Sequence, residues 1–504
     1  MIARKSALII ATQLANSILG YIGLKFIALY MDPWEYGVVG FAYGFVALFS
    51  VFGNLGFDSA HVKRVSEGKD LRKCIGTFIS VKLFLAGFMA SVVILSIAIW
   101  KYVIGRGFES PLHEQTVYVM LAYFALLVLT QSMISTFNAR KEIAKVQLPL
   151  FGYTFARVIV TIFVAFYGLG ALALAYAYVF GEIFHFIIAL LFFREYSVSK
   201  SSLEYFKDYS KFAVPMAIAS ASAIIMANID KVFIQLFWSA RQVGEYFAIF
   251  NLSRFIILFV TAVGMLLFPT ISEHHAKNNM KEIKKLTLLS ERYLSMIVFP
   301  IVVIMVFLAE PIIHILLSDK YMPALPVLQI LPFFVLIEAL SRPYSSQLSG
   351  MDMPTLNRNR VVLMAVGNVL LNLILIPRDI KSMGLKLAGL GGEGAAIATV
   401  VSYIVGLTYI RIVAWRVTGI KGNYRIIFHG MATGVTAFVL YHVNKVTYIG
   451  RWYELAGVAA FGMAVYFAIL FVMREFKRED FDLFMDTLNI KKMFGYIREE
   501  LKGK

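Results

Sequence analysis

The chain is expected to be an all-α polytopic membrane protein with about 14 transmembrane helices. Three observations predict this class. Of its 504 residues, 59% are hydrophobic, against roughly 45–50% in soluble domains. The apolar residues gather in long runs of the roughly 20 residues a bilayer crossing needs. Lys and Arg collect in alternate loops between those runs, as membrane topology requires. No stretch suggests a soluble domain of any size.

The first run, Ser6–Tyr30, follows a basic start and is too long for the apolar core of a signal peptide. Further spans are expected at Gly37–Phe57, Ile75–Trp100, Thr116–Phe137, Leu148–Tyr167 and Leu169–Phe193. Ser201 and Glu204 then match a capping box ahead of Tyr205, Phe206 and Tyr209, which predicts a surface helix. A second set follows at Phe212–Phe237, Glu245–Ile271, Ser290–Leu317, Ala324–Gln347, Val361–Ile376 and Gly391–Trp415. Two more are expected at Tyr424–Val443 and Tyr453–Met473. Beyond them, Phe481, Phe484, Leu488, Phe494, Ile497 and Leu501 recur at helical spacing among basic residues. That pattern suits either an interfacial helix or a solvated charged one.

The expected organisation is an N-terminal six-helix lobe over 1–197 and a cytoplasmic inter-lobe helix over 198–211. A C-terminal six-helix lobe covers 212–416, two additional spans 417–474, and an amphipathic basic tail 475–504.

The net charge of +17 would suggest nucleic acid in a soluble protein. Here the basic residues lie in short loops and set orientation instead, so no nucleic-acid partner is expected. Lys63, Arg64, Lys69, Arg72 and Lys73 mark one side, with Arg140, Lys141 and Lys145 on the same side. The alternation places both termini in the cytoplasm, in a plasma-membrane protein. Cys74 is the only cysteine, so no intrachain disulfide can form.

The chain repeats itself weakly. Phe26-Ile27-x-Leu29 matches Phe233-Ile234-x-Leu236, and Gly37 matches Gly244 at the same offset. Val65-Ser66-Glu67 matches Ile271-Ser272-Glu273, and Gly168-x-Gly170-Ala171 matches Gly392-x-Gly394-Ala395. Repeats of six spans insert in the same orientation, and such transporters bind substrate between their halves.

Lys25, Lys82, Arg157, Lys231, Arg254 and Arg342 fall inside apolar stretches. Each would cost roughly 2.5–3.5 kcal/mol or more facing lipid, so they must snorkel, pair with acids or line a wet cavity. A cationic cavity implies an anionic substrate. Lys25, Arg157, Lys231 and Arg254 are the candidate substrate-binding cations. Gln13, Asn16, Asn228 and Asn251 are candidate polar lining, with interhelical hydrogen bonding as the alternative. Arg157 and Glu182 share a depth on consecutive helices, so Arg157 either pairs with Glu182 or faces the cavity. His185 lies one turn beyond Glu182, which lets that pair carry a proton. Asp230 can pair with Arg254 in the same way, and Glu338 with Arg342 four residues on. Lys82 can snorkel. Glu182, Asp230 and Glu310 are the candidate ion-coupling groups, Glu310 standing before Pro311 where a kink is expected.

No Walker motif, phosphate-binding glycine loop or Cys/His metal spacing is present. No enzyme activity, cofactor or metal is expected.

Several stretches carry a resemblance. Leu55-Gly56-Phe57-Asp58 leads into Val62-Lys63-Arg64-Val65-Ser66-Glu67. Phe212-Ala213-Val214-Pro215, Asn228-Ile229-Asp230-Lys231 and Val243-Gly244-Glu245-Tyr246 follow. Leu267-Phe268-Pro269-Thr270-Ile271-Ser272-Glu273 and Gly391-Gly392-Glu393-Gly394-Ala395-Ala396 complete the set. In these the chain resembles the polysaccharide-transporter (O-antigen flippase, Wzx-like) family. That family belongs to the multidrug/oligosaccharidyl-lipid/polysaccharide exporter superfamily, which has a MATE-like fold.

The resemblance implies two six-helix lobes around a central cavity, plus two peripheral helices. It implies transfer of a polyprenyl-(pyro)phosphate-linked oligosaccharide from the inner to the outer leaflet by alternating access. The implied partners are the lipid-linked glycan, membrane lipids, and the glycosyltransferases and polymerase or ligase of a glycan pathway. Without a nucleotide motif, the default energy source is an ion gradient, H+ or Na+, or the membrane potential. Three alternatives stand beside this expectation: a MATE-type cation or drug antiporter, a flippase for the lipid-linked peptidoglycan precursor, and a non-transporting scaffold.

Overall fold

The computed structural model describes residues 2–103, 105, 108–378 and 386–476. The amphipathic tail expected over 475–504 lies, from residue 477 onward, outside the described residues. Among the described residues the chain is helical, with no strand. Among the described residues, twelve helices are long and apolar enough to cross a membrane.

The helices are α1 (Ile2–Tyr30), α2 (Pro33–Asn54), α3 (Phe57–Ser66), α4 (Leu71–Ala98), α5 (Pro111–Ala139) and α6 (Ile143–Phe166). They continue with α7 (Gly170–Phe193), α8 (Leu203–Phe237), α9 (Ala240–Arg254), α10 (Ile257–Ala276), α11 (Met280–Phe307) and α12 (Ala309–Leu316). The last are α13 (Leu325–Ile330), α14 (Pro332–Gly350), α15 (Pro354–Leu375), α16 (Gly391–Thr418), α17 (Ile426–Val446) and α18 (Trp452–Val472).

Local chemistry sets the boundaries. At α2 the Asp32 carboxylate accepts the Trp34 N–H, and Glu35 reaches back to the Asp32 N–H. Pro33 fits the first helical position because its missing donor would be unused there. The helix stops where Leu55 and Gly56 both turn left-handed, at φ 44° and 79°. A side chain at Gly56 would also collide with the Ala213 carbonyl, 2.2 Å from an ideal Cβ.

The surface helix expected near 198–211 is the first part of α8, one unbroken helix of 35 residues. The span expected at Glu245–Ile271 is divided into α9 and α10 around Phe255. The kink expected near Pro311 is a full break at Leu308, between α11 and α12.

The chain forms two compact units. One comprises residues 14–248 and 364–398. Its core includes Phe57, Cys74, Phe78, Leu85 and Tyr209, so the start of α8 packs into the bundle. His61 is fully buried there, between the Tyr209 hydroxyl and Thr136 Oγ1, at 2.9 Å from each. Burial pushes its imidazole down to about 3, so it stays neutral. Asp208 ion-pairs with Arg64 at 2.9 Å and with Lys69. The hydrogen bond from Lys69 holds the Asp208 carboxyl below the usual aspartate range.

Lys82 is 1% exposed and ion-pairs with Asp58 at 2.5 Å, while its ammonium also donates to the Gly53 carbonyl. It therefore does not snorkel. The break between α2 and α3 turns Asp58 toward α4, a pairing that linear depth counting missed.

The other unit comprises residues 1–13, 249–363 and 399–504. Glu475, just beyond α18, is 1% exposed and ion-pairs with Arg292 at 2.5 Å and Arg425 at 2.9 Å. Glu291 is likewise buried, pairing with Arg411 and accepting from the Tyr344 hydroxyl and the Asn423 N–H. These contacts anchor α17 and α18 on α11.

Candidate functional site

Three polar groupings lie at depth within the helical units. The first is built on Arg157. Gly181 lets α7 approach α6 so closely that a Cβ there would lie 2.8 Å from the Arg157 Cβ. The guanidinium sits 4.9 Å from the Tyr178 ring centroid and 5.3 Å from that of Tyr153. Tyr123 joins this group through a 3.3 Å hydroxyl contact with Tyr153, and Tyr43 through ring contact with Tyr178. Such cation–π contacts contribute about 0.5–2 kcal/mol each and leave the charge in place.

Glu182 does not neutralise it. Its carboxylate lies 3.1 Å from His185 Nδ1, and among the described residues no ion pair joins Arg157 to an acid. Of the two alternatives raised by the sequence, the ion pair is thus excluded. Arg157 is half-buried.

Lys231 is 2% exposed. Its stem crosses Gly44, whose absent side chain leaves the space, and its ammonium donates to the Ala227 carbonyl at 2.7 Å. Lys25 and Asn16 are half-buried, and the Asn16 amide oxygen is buried with no hydrogen-bond partner. Asn228 donates to the Ile224 carbonyl on its own helix.

The second grouping surrounds Asp230, which is 2% exposed. One carboxylate oxygen accepts from the Tyr246 hydroxyl and the other from Asn372 Nδ2, both at 2.6 Å. Asn372 also donates to Asn368 Oδ1 at 3.1 Å. Two neutral donors, on α9 and α15, thus bind Asp230, while Arg254, its expected partner, belongs to the other unit. Asn368 and Asn372 were not singled out from the sequence. Their signal was there, as two amides four apart in an apolar run. Glu182 is as deeply buried as Asp230, whereas Glu310 is exposed in the first turn of α12.

The third grouping lies in the other unit. Glu338 bridges Arg342 at 3.1 Å and Arg360 at 2.6 Å. The first of these pairs was expected from spacing. Arg360 falls just outside the span expected at Val361–Ile376, in the loop before it, yet it is 5% exposed. Arg254 is exposed above the Phe250 ring. Gln13 and Asn251 are half-buried in this unit.

Twelve described helices long and apolar enough to cross a membrane define the class as a multi-pass membrane protein. The chain belongs to the family described as polysaccharide biosynthesis protein, whose profile matches residues 27–326. It is 23% identical over 488 residues to the "probable low-salt glycan biosynthesis flippase Agl15" of Haloferax volcanii, covering 95% of this chain and 98% of that one. Among solved structures it matches the lipid II flippase MurJ in an inward closed conformation, with a TM-score of 0.74. That match has 16% identity and covers 92% of this chain and 98% of MurJ. An inward-facing multidrug resistance MATE transporter of the MOP superfamily matches with a TM-score of 0.62 and 16% identity. It covers 80% of this chain and 96% of the transporter. These likenesses establish the fold.

Proposed function

We propose that this protein moves a polyprenyl-(pyro)phosphate-linked oligosaccharide from the inner to the outer leaflet by alternating access. The observation that carries this reading is Arg157, an arginine at membrane depth caged by tyrosine rings and joined to no acid among the described residues. A pyrophosphate is a multivalent anion that guanidinium and ammonium groups bind strongly. Lys25 and Lys231 supply further positive charge in the same unit and Arg254 in the other, and Asn16 offers an unsatisfied amide oxygen to a sugar hydroxyl. In this reading the polar head passes through the protein while the polyprenyl tail stays in the bilayer.

Family membership and the flippase named among the relatives support a lipid-linked glycan as cargo. Of the three candidate coupling groups, Asp230 fits best, because it is buried and ringed by amide and hydroxyl groups that suit either a proton or Na+. Both termini lie in the cytoplasm in this scheme, and the plasma membrane is the site of action.

The likeness to MurJ favours one second reading, a flippase for the lipid-linked peptidoglycan precursor, whose head is chemically similar. Translocation in proteoliposomes tests both. A polyprenyl-pyrophosphate oligosaccharide, the peptidoglycan precursor and a lipophilic cation are offered separately. Movement of the oligosaccharide lipid is expected. Movement of the cation alone would overturn the proposal.

A further inference from the structure

The Glu109 carboxylate, two residues before α5, gathers donors from three other helices. The Trp34 indole N–H, at the start of α2, lies 3.4 Å from one of its oxygens. The other oxygen accepts from Gln235 Nε2 on α8 at 2.5 Å and from the Ala240 N–H at 3.3 Å. Ala240 opens α9, and the first N–H groups of a helix have no acceptor within it. The helix dipole also favours negative charge at that end. His113 Nε2 on α5 stands 3.7 Å from the same oxygen, and the His113 ring is buried edge-on to Trp34 at 5.8 Å.

Trp34 and Ala240 lie one turn before Gly37 and Gly244, the equivalent glycines of the sequence repeat. One carboxylate therefore ties the two copies together, at the place where they touch. The Ala240 carbonyl oxygen fills the side-chain space of Gly37, 1.6 Å from an ideal Cβ, while the N–H of the same residue bonds Glu109. Trp34, Gln235 and the Ala240 amide are neutral donors, so the charge that strengthens these bonds is that of Glu109 itself. Glu109 is 40% exposed, which lets a proton from solvent reach it.

The neighbouring charged groups are engaged with one another. Asp32 holds Arg241, Glu35 accepts the Asp32 N–H, and Glu114 pairs with Lys101. On α8, Lys231 donates to the Ala227 carbonyl and Asp230 accepts from Tyr246 and Asn372. Glu245, one turn beyond Arg241 on α9, is buried and feels Arg241 and Asp32. Glu393 stands in the first turn of α16.

We propose that Glu109 is an acid-released latch: ionised, it holds α2 against α8 and α9, and protonated, it lets them part. A protonated carboxyl loses the charge assistance and sets a hydrogen of its own among these donors. The latch is thus closed above the carboxylate range and released below it. It concerns movement within this unit whatever the cargo, so it stands apart from the flippase reading.

The test uses the full chain in liposomes, with Cys74→Ser and Val243→Cys. Val243 is fully buried and lies four residues before Phe247, whose ring packs on Gly40 of α2. A membrane-impermeant thiol reagent is applied at about pH 7.5 and at about pH 3.5, above and below the ordinary carboxylate range. Each rate is divided by that of a cysteine at Tyr448, which is 84% exposed, to remove the pH dependence of the thiol itself. The buried cysteine is expected to label about tenfold faster in acid, the scale on which charge-assisted and neutral hydrogen bonds differ. Shielding should return when the pH is restored. Glu109→Gln keeps the size and removes the charge, and is expected to label fast at both pH values. Asp32→Asn is expected to keep the response to pH.

Equal labelling at both pH values with Glu109 present overturns the proposal, as does a response that survives Glu109→Gln. A response abolished by Asp32→Asn assigns it to the Arg241 pair and overturns the latch. Slower labelling in acid would mean that a charged His113 tightens its hold on Glu109, and it too overturns the proposal. Shielding that does not return at about pH 7.5 would mean that acid unfolds the chain rather than releasing a latch, with the same consequence.

Discussion

Gly37 and Gly244 hold equivalent places in the two sequence repeats, and each receives the other's helix in the space a side chain would fill. An ideal Cβ on Gly37 would lie 1.6 Å from the Ala240 carbonyl oxygen, and one on Gly244 would lie 1.9 Å from that of Pro33. Ala240 precedes Gly244 by four residues, as Pro33 precedes Gly37. The contact is therefore reciprocal, one helical turn against the other. Asp32 and Arg241 clasp the same end through a two-pronged ion pair at 2.9 and 3.0 Å.

No side chain fits this crossing, so Gly37→Val must part α2 from α9. In a Cys74→Ser background, a cysteine placed at Ala240 should be shielded from a thiol reagent with Gly37 present. It should label several-fold faster once Val is introduced. Equal labelling would mean that the crossing is not closed in the membrane.

Arg157→Ala should reduce glycan-lipid translocation by at least about tenfold, the scale of a charge-assisted hydrogen bond to an anion. Because Glu182 has His185 as its partner, removing Arg157 leaves no acid orphaned. The variant should therefore insert and purify normally. A sharp loss of folded protein would mark Arg157 as structural.

Asp230→Asn is nearly isosteric and removes the charge; its amide oxygen can still accept from Asn372, while its NH2 must donate to the Tyr246 oxygen in place of the bond Asp230 accepts there. Transport by this variant should proceed down a substrate gradient but no longer respond to an imposed proton or sodium gradient. Retained gradient dependence would clear Asp230 of the coupling role and move attention to Glu182.

Lys82→Ala strands Asp58. Breaking a fully buried pair costs about 3–5 kcal/mol, and Asp58 is 25% exposed, so about 2 kcal/mol is expected here. Thermal unfolding in detergent should show a lowered midpoint, with most of the loss restored by adding Asp58→Asn. No change in midpoint would show that the pair contributes nothing net.

The Asp208 contacts make the docked start of α8 sensitive to acid. Its folded pKa lies below the unfolded value of about 3.9, so the ionised form favours the docked state. This contribution is fully present above that value and is lost as pH falls through the folded pKa. Protection against amide exchange across 203–210, taken relative to the intrinsic rate at each pH, should therefore be high at neutral pH and lower near pH 3. Asp208→Asn should show low protection at both. Exchange that ignores both pH and the substitution would show that other contacts hold the helix.

Much of the fold was legible because the bilayer constrains sequence so strongly. Span length, loop charge and the absence of polar domains follow from the cost of placing unsatisfied backbone in hydrocarbon. Short motifs and offsets, such as Gly37 with Gly244, then pointed to the repeat and the family. The Glu338–Arg342 pair was also readable, since four residues on a helix fix two side chains on one face.

Partnership between helices was not readable in this way. Depth counted along the chain left Arg157 either pairing with Glu182 or facing a cavity; the structure keeps Glu182 with His185 on its own helix and sets Arg157 against tyrosines on two helices. Lys82 resembled a snorkelling lysine until the break after α2 brought Asp58 to it. Arg360 resembled a loop residue until α15 carried it to Glu338. Hydropathy and spacing along one chain determined which segments enter the membrane. Which charges remain unneutralised there was decided by helix rotation and close packing, because ion pairing acts over a few ångströms between segments far apart in sequence.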